Sequence, residues 1–141
     1  MISAIRRVQF AAGHRVFGHE SKCATLHGHN YVVFFHATAE NLDSVGRVID
    51  FSVLKERLGG WIDENWDHTM LLYKEDRETI KNVMACERKK PIFVCDFNPT
   101  AENMANYLLR VVGPNVLNTT GVKLVKVAVW ETENCVAEAT L

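Results

Sequence analysis

Two histidines two residues apart, His27 and His29 in the run LHGHNY, are the strongest chemical signal in the chain. If that run is extended, both imidazoles leave the same face, with backbones roughly 6.5–7 Å apart, so one metal ion can accept both. Gly28 between them leaves the opposite face open to close backbone approach. Upstream, FAAGHR puts Phe10, Ala12 and His14 on a common strand face, with His14 at the end of the run as a candidate third ligand. Three neutral imidazoles with a fourth position left for water or substrate is the pattern of a catalytic zinc site; a structural site closes with a fourth protein ligand, commonly cysteine. Cys23 stands four residues before His27 in a segment that reads as a loop. Spacing alone leaves it open whether Cys23 is a ligand or a reactive thiol. The plainer reading of the histidines is that strand imidazoles make ordinary hydrogen bonds. His19 reads as a loop residue near the site and His36 as an ordinary strand histidine.

A second pair lies in WDHTML, where Asp67 precedes His68. A carboxylate beside an imidazole raises its basicity and sets its tautomer, which suits a proton relay, although a local hydrogen bond also explains it. Glu131 in VWETEN follows Val127 and Val129 on the same side of a strand. At the rim of a sheet such a carboxylate can clamp a guanidine-like N–H pair through two parallel hydrogen bonds; a solvated surface charge is the alternative.

The elements that must position these groups alternate in type. Residues Ile5–Ala12, Asn30–Ala39 and Val122–Thr132 are rich in β-branched and aromatic types and predict strands, with Asn134–Thr140 a fourth. Leu54, Leu58, Trp61, Ile62 and Asn65 recur at helical spacing after Asp50 or Ser52 as N-cap, against the helix-weakening pair Gly59-Gly60. After Asn98-Pro99, an N-cap residue and a first-turn proline, Ala101, Met104, Ala105, Leu108, Leu109 and Val112 form one apolar stripe. Strands bunched around two helices predict an α+β fold: an antiparallel four-stranded sheet with two main helices on one face. Between the helices, Asp76–Arg88 predicts a short surface helix and Pro91–Phe97 an extra or edge strand.

A chain of 141 residues, 48% hydrophobic and 23% charged, suits one globular domain over residues 1–141 with a real core. The net charge of −1 offers no electrostatic footing for a nucleic acid or an anionic membrane surface. No apolar run reaches the roughly 18 residues of a membrane span, and the N-terminus MISAIRRVQF has no signal-peptide core. The four cysteines are too scattered for a disulfide framework and read as reduced, in a cytoplasmic protein.

Taken together and in order, FAAGH, HGHNY with a preceding cysteine, GRVIDF, DHTML, NPTAEN and the ET of VWETEN resemble the 6-pyruvoyltetrahydropterin synthase family from Phe10 to Glu131. The C-x-x-x-H-G-H spacing is most like its 6-carboxytetrahydropterin synthase branch. The resemblance implies His14, His27 and His29 as zinc ligands, Cys23 as the catalytic thiol, and Asp67 with His68 as its proton-moving partners. It implies Glu131 as the pterin anchor, with Thr100, Ala101 and Glu102 as pocket residues. The segment from about Lys74 to Phe97 is longer than in the shortest family members.

The activity implied is that of a zinc-dependent lyase taking the small-molecule pterin 7,8-dihydroneopterin triphosphate to 6-carboxy-5,6,7,8-tetrahydropterin, with release of acetaldehyde and triphosphate. Zn2+ is the cofactor, and no redox cofactor is needed. The family's alternative is elimination of triphosphate alone, giving the pyruvoyl product; the alternative of another class is a non-catalytic zinc-binding homologue. The resemblance also implies a tunnelling fold assembled into an oligomeric barrel, usually a homohexamer built as a dimer of trimers, with active sites between subunits. The nearly continuous apolar run Val33-Phe34-Phe35 fits a strand whose second face an oligomer covers. Enzymes of the carboxy branch usually feed queuosine biosynthesis.

Overall fold

Burial alternates along Ala4–His14: Ala4, Phe10, Ala12 and His14 turn inward, while Ile5, Arg7 and Gln9 face out, as in a strand with one covered face. In the computed structural model, which describes residues 1–141, this strand is β1. The others are β2 (His27–Ala39), β3 (Met70–Tyr73), β4 (Phe93–Cys95), β5 (Val122–Thr132) and β6 (Cys135–Thr140). They form one six-stranded sheet in the order β4-β3-β1-β2-β5-β6.

The antiparallel four-stranded sheet predicted from the sequence is therefore only part of a larger mixed sheet. β1, β2, β5 and β6 are antiparallel neighbours, but β3 joins the free edge of β1 in parallel and β4 joins β3 in parallel. The edge strand β4 lies within the run Pro91–Phe97 predicted as an extra or edge strand, whereas β3, four residues long, is too short to show a period. Leu71 and Leu72 are both buried, so MLLY carries no alternation to read. Parallel neighbours need a crossover, and helix α3 (Arg77–Met84) supplies it.

Two helical rods cover one face. The first joins α1 (Phe51–Leu54) to α2 (Gly60–Asn65) through a π-helical turn at Lys55–Gly59, and Asp50 caps it by accepting from Ser52 N–H. Gly59-Gly60 does not break this rod: Gly59 is buried, and a Cβ there would stand in ordinary contact, 3.7 Å from Val8. The second rod runs from α4 (Ala101–Tyr107) through a π-helical turn at Leu108–Val112 into α5 (Gly113–Val116). Its N-cap is Thr100, whose hydroxyl accepts from Asn103 N–H at 3.2 Å, in place of the predicted Asn98; the side chain of Asn98 is drawn instead to the backbone of Phe17.

Leu54, Leu58, Ile62 and Trp66 from the first rod, and Met104, Leu108, Leu109 and Val112 from the second, bury Tyr31, Val33, Phe35, Val127 and Val129. Those side chains have little freedom to shift, so the ends of β1, β2 and β5 are placed by core packing. Neither rod covers the other face of the sheet. Phe34 and Trp130 are half-buried there, and Ile5 and Val136 remain exposed, so the apolar run of β2 splits into a core half and an open half. No helix is long and apolar enough to cross a membrane, and all four cysteines are free.

Candidate functional site

The pairing of β1 with β2 ends with His14 directly opposite His27, and His29 lies two residues further along β2 on the same face. The ligand nitrogens of these three histidines all lie within 4.8 Å of one another. The strands approach closely just before this end of the pairing, where Gly13 lies opposite Gly28. A Cβ on Gly28 would stand 3.1 Å from the Ala12 carbonyl oxygen, closer than a methyl group accepts without strand movement. Gly28→Ala is therefore expected to cost about 1 kcal/mol, lowering Tm by a few degrees in a thermal melt. An unchanged Tm would show that the strands have room to spare.

Hydrogen bonding assigns the tautomers. His14 Nδ1 lies 2.7 Å from the Pro99 carbonyl and His27 Nδ1 lies 2.6 Å from the Thr25 carbonyl. A carbonyl only accepts, so each Nδ1 carries the proton and each Nε2 carries a lone pair. Yet those two Nε2 atoms are 3.1 Å apart. Two lone pairs at that distance repel unless a cation lies between them. Burial, opposed by the Pro99 carbonyl and reinforced by His27 and His29, lowers the pKa of His14 to about 4, which disfavours a further proton on that ring. Burial, opposed by Glu131, also lowers that of His29, whose buried Nε2 has no hydrogen-bond partner. Tetrahedral zinc with nitrogen ligands at about 2.05 Å separates those nitrogens by about 3.3 Å, and outer carbonyls on the far ring nitrogen are its usual second layer. The donor set fits a metal ion bound by three imidazoles.

Around it lies a cavity of about 870 Å³. Cys23, on the 3-10 turn Lys22–Ala24, lines it together with His19, Lys22, Thr100, Ala101, Glu102, Glu131 and Cys135. Cys23 is not among the converging ligand atoms. Glu131 lies on the side of the strand that Val127 and Val129 face, and it is the extra residue of a bulge, since Trp130 pairs with Val136 and Thr132 with Cys135. Its carboxylate comes 3.8 Å from His29 Nε2. An earlier irregularity opposite His36/Ala37 shifts the parity of β5, which is how Val122, Leu124, Val127 and Val129 all face the core.

Asp67 and His68 are placed elsewhere. His68 lines a second cavity, of about 570 Å³, with Ala11, Gly13, Gly28, Asn30 and residues of the 83–92 segment. Of the histidine cluster, only His29 borders both spaces. Asp67 accepts from Ala11 N–H at 3.0 Å and lies 2.9 Å from His68 Nδ1. Burial opposes its ionisation, but these bonds and the charge of Lys90 hold its pKa below the ordinary value. One chain thus brings together the three histidines, Cys23, Glu131 and residues 100–102, while Asp67 and His68 stand apart. His36 sits half-buried on the uncovered face.

Sequence reasoning missed the Pro99 and Thr25 carbonyls, since backbone acceptors leave no side-chain signature. It also missed Asn98, whose amide holds both backbone groups of Phe17 at 2.8 and 2.9 Å and so ties the loop after β1 to the entry of α4. Arg15 is occupied by a 2.8 Å ion pair with buried Asp76.

The model of the family described as 6-pyruvoyl tetrahydropterin synthase matches residues 4–140. A 6-carboxy-5,6,7,8-tetrahydropterin synthase of Rickettsia bellii is 38% identical over 138 residues, covering 98% of this chain and 99% of the relative. Among solved structures, an uncharacterized protein from Wolinella succinogenes superposes with a TM-score of 0.82 at 23% identity, over 99% of this chain and 97% of that one. The 6-pyruvoyl tetrahydropterin synthase of Caenorhabditis elegans does so at 0.69 and 24% identity, over 99% and 95%. The chain belongs to the 6-pyruvoyl tetrahydropterin synthase family. Within that family it is a lyase of the kind its 6-carboxytetrahydropterin synthase relatives represent.

Proposed function

We propose that this chain, as one domain over residues 1–141, converts 7,8-dihydroneopterin triphosphate and water to 6-carboxy-5,6,7,8-tetrahydropterin, acetaldehyde and triphosphate, using zinc held by His14, His27 and His29. The observation that carries the reading is the pair of opposed Nε2 lone pairs, 3.1 Å apart, opening on a cavity that Cys23 and Glu131 also line. When bound, zinc supplies Lewis acidity beside the substrate's side-chain hydroxyls.

The residues divide the remaining work. Glu131, near the end of β5, accepts the paired N–H groups of the amino-pyrimidine edge, and Thr100, Ala101 and Glu102 line the same pocket at the start of α4. Cys23 takes a proton from the side-chain carbon whose acidity the metal raises, and returns one at the next position. Triphosphate leaves by elimination, water adds, and the carbon–carbon bond breaks to release acetaldehyde; the ring is reduced at the side chain's expense, with no outside reductant.

Asp67 orients His68, which moves the second proton. Because that pair opens on the far side of the sheet from Cys23, the reading requires His68 of one subunit to serve the thiol of another. The uncovered face with Phe34 and Trp130 supports such an assembly, which we place as a cytoplasmic homohexamer.

The test is to incubate zinc-loaded protein with dihydroneopterin triphosphate and score the products. Acetaldehyde in step with the carboxylated pterin is expected. A diketone without acetaldehyde assigns the pyruvoyl reaction instead, and substrate left unconsumed by metal-replete protein would reduce the chain to a binding module.

A further inference from the structure

His68 is held by more than its carboxylate. Its backbone sits at φ 57°, the left-handed region that residues with a side chain enter at a cost and keep only when their surroundings insist. One side of the turn is fixed to β1, where His68 N–H donates to the Ala11 carbonyl at 2.6 Å and Asp67 accepts from Ala11 N–H at 3.0 Å. The other side is fixed by a segment more than twenty residues later. The Lys90 ammonium donates to the Asp67 carbonyl at 2.6 Å and also to the Asp63 carbonyl. Thr69 Oγ1 donates to the Pro91 carbonyl at 2.6 Å.

Asp63 belongs to α2, whose last carbonyls have no partner inside the helix and attract a cation. Lys90 therefore bridges the helix end and the peptide that carries the imidazole. We propose that Lys90 is a positioning residue for His68, setting the angle at which the ring enters the cavity it shares with Lys90 and Arg88. Without the ammonium, the Asp63 and Asp67 carbonyls lose a common charged donor, and the turn relaxes away from its left-handed residue. This role falls to the 85–92 segment, which otherwise contributes neither core nor metal ligand. The inference rests on the proton-moving role proposed for His68.

Steady-state rates of the zinc-loaded full chain test it with Lys90→Met, Lys90→Arg, His68→Gly and the Lys90→Met/His68→Gly double variant. Glycine deletes the imidazole and tolerates φ 57°. Lys90→Met is expected to lower kcat about tenfold or more while KM stays within about twofold, as for a displaced catalytic group. Lys90→Arg, still charged and able to reach two carbonyls, should recover most of that loss. Added to His68→Gly, Lys90→Met should cost nothing further, since its effect passes through the ring. A wild-type kcat for Lys90→Met alongside an impaired His68→Gly overturns the proposal, as does an equal loss in both backgrounds. Full turnover by His68→Gly alone is a different result: it removes the role of His68. Should Lys90→Met fail to give a folded thermal transition, Lys90→Gln, which keeps one neutral donor, carries the same comparison.

Discussion

Replacement of His14 by alanine is expected to abolish both metal binding and turnover. His14 is 1% exposed, anchored through Nδ1 to the Pro99 carbonyl, and opposed to His27 across the strand pair, so no neighbouring side chain can take its place. Loss of an outer partner of a metal ligand typically costs 10–100-fold in affinity or activity, and loss of a ligand costs more. Metal analysis after dialysis should find about one zinc per wild-type chain and close to none in the variant. Thermal melts give an independent reading. An ion that binds only the folded state stabilises it by RT ln(1 + c/Kd) at free ion concentration c, so a chelator should lower the wild-type Tm and leave that of His14→Ala unmoved. Full zinc in the variant would sink the three-histidine site.

Cys23→Ala should separate the metal from the chemistry. Cys23 lines the cavity without joining the cluster of ligand nitrogens, so zinc stoichiometry is expected to stay at the wild-type value. Turnover should fall by about 10²–10⁴, the range for losing a positioned acid–base group. Loss of zinc with Cys23 would instead make it a fourth ligand. The same variant tests the division of labour between subunits. Because His68 and Cys23 open on different cavities, unfolding and reassembling Cys23→Ala together with His68→Gly should form some sites with an intact thiol and an intact imidazole. Recovery of part of the wild-type rate is the expected result. No recovery from properly assembled mixtures would mean that the two groups act within one chain.

Much of this arrangement was legible in the residues. Phe10, Ala12 and His14 share a face because a strand repeats every two residues, and His27 and His29 do so for the same reason. The stripe from Ala101 to Val112 reads as a helix because its apolar residues recur at 3.6, and the rod that results is buried where the stripe lies. The boundaries were less legible. Asn98-Pro99 looks like a cap and first turn, yet the helix starts after Thr100, since Asn98 finds better partners in the backbone of Phe17. The edge strand β4 lies within the predicted run Pro91–Phe97, but β3 escaped because four residues carry no period and Leu71 and Leu72 are both buried.

The sequence by itself determined which groups share a strand face and which stripes seek a core, because strand and helix periods are local properties of the chain. It therefore determined that three imidazoles could converge. Only the tertiary structure decided that His14 lands opposite His27, that Glu131 comes within 3.8 Å of His29, and that the Pro99 and Thr25 carbonyls leave two Nε2 lone pairs facing each other. It also decided that Asp67 and His68 open away from Cys23. Register, bulges and the parallel placement of β3 beside β1 arise from packing between residues far apart in the chain, and no local spacing records them.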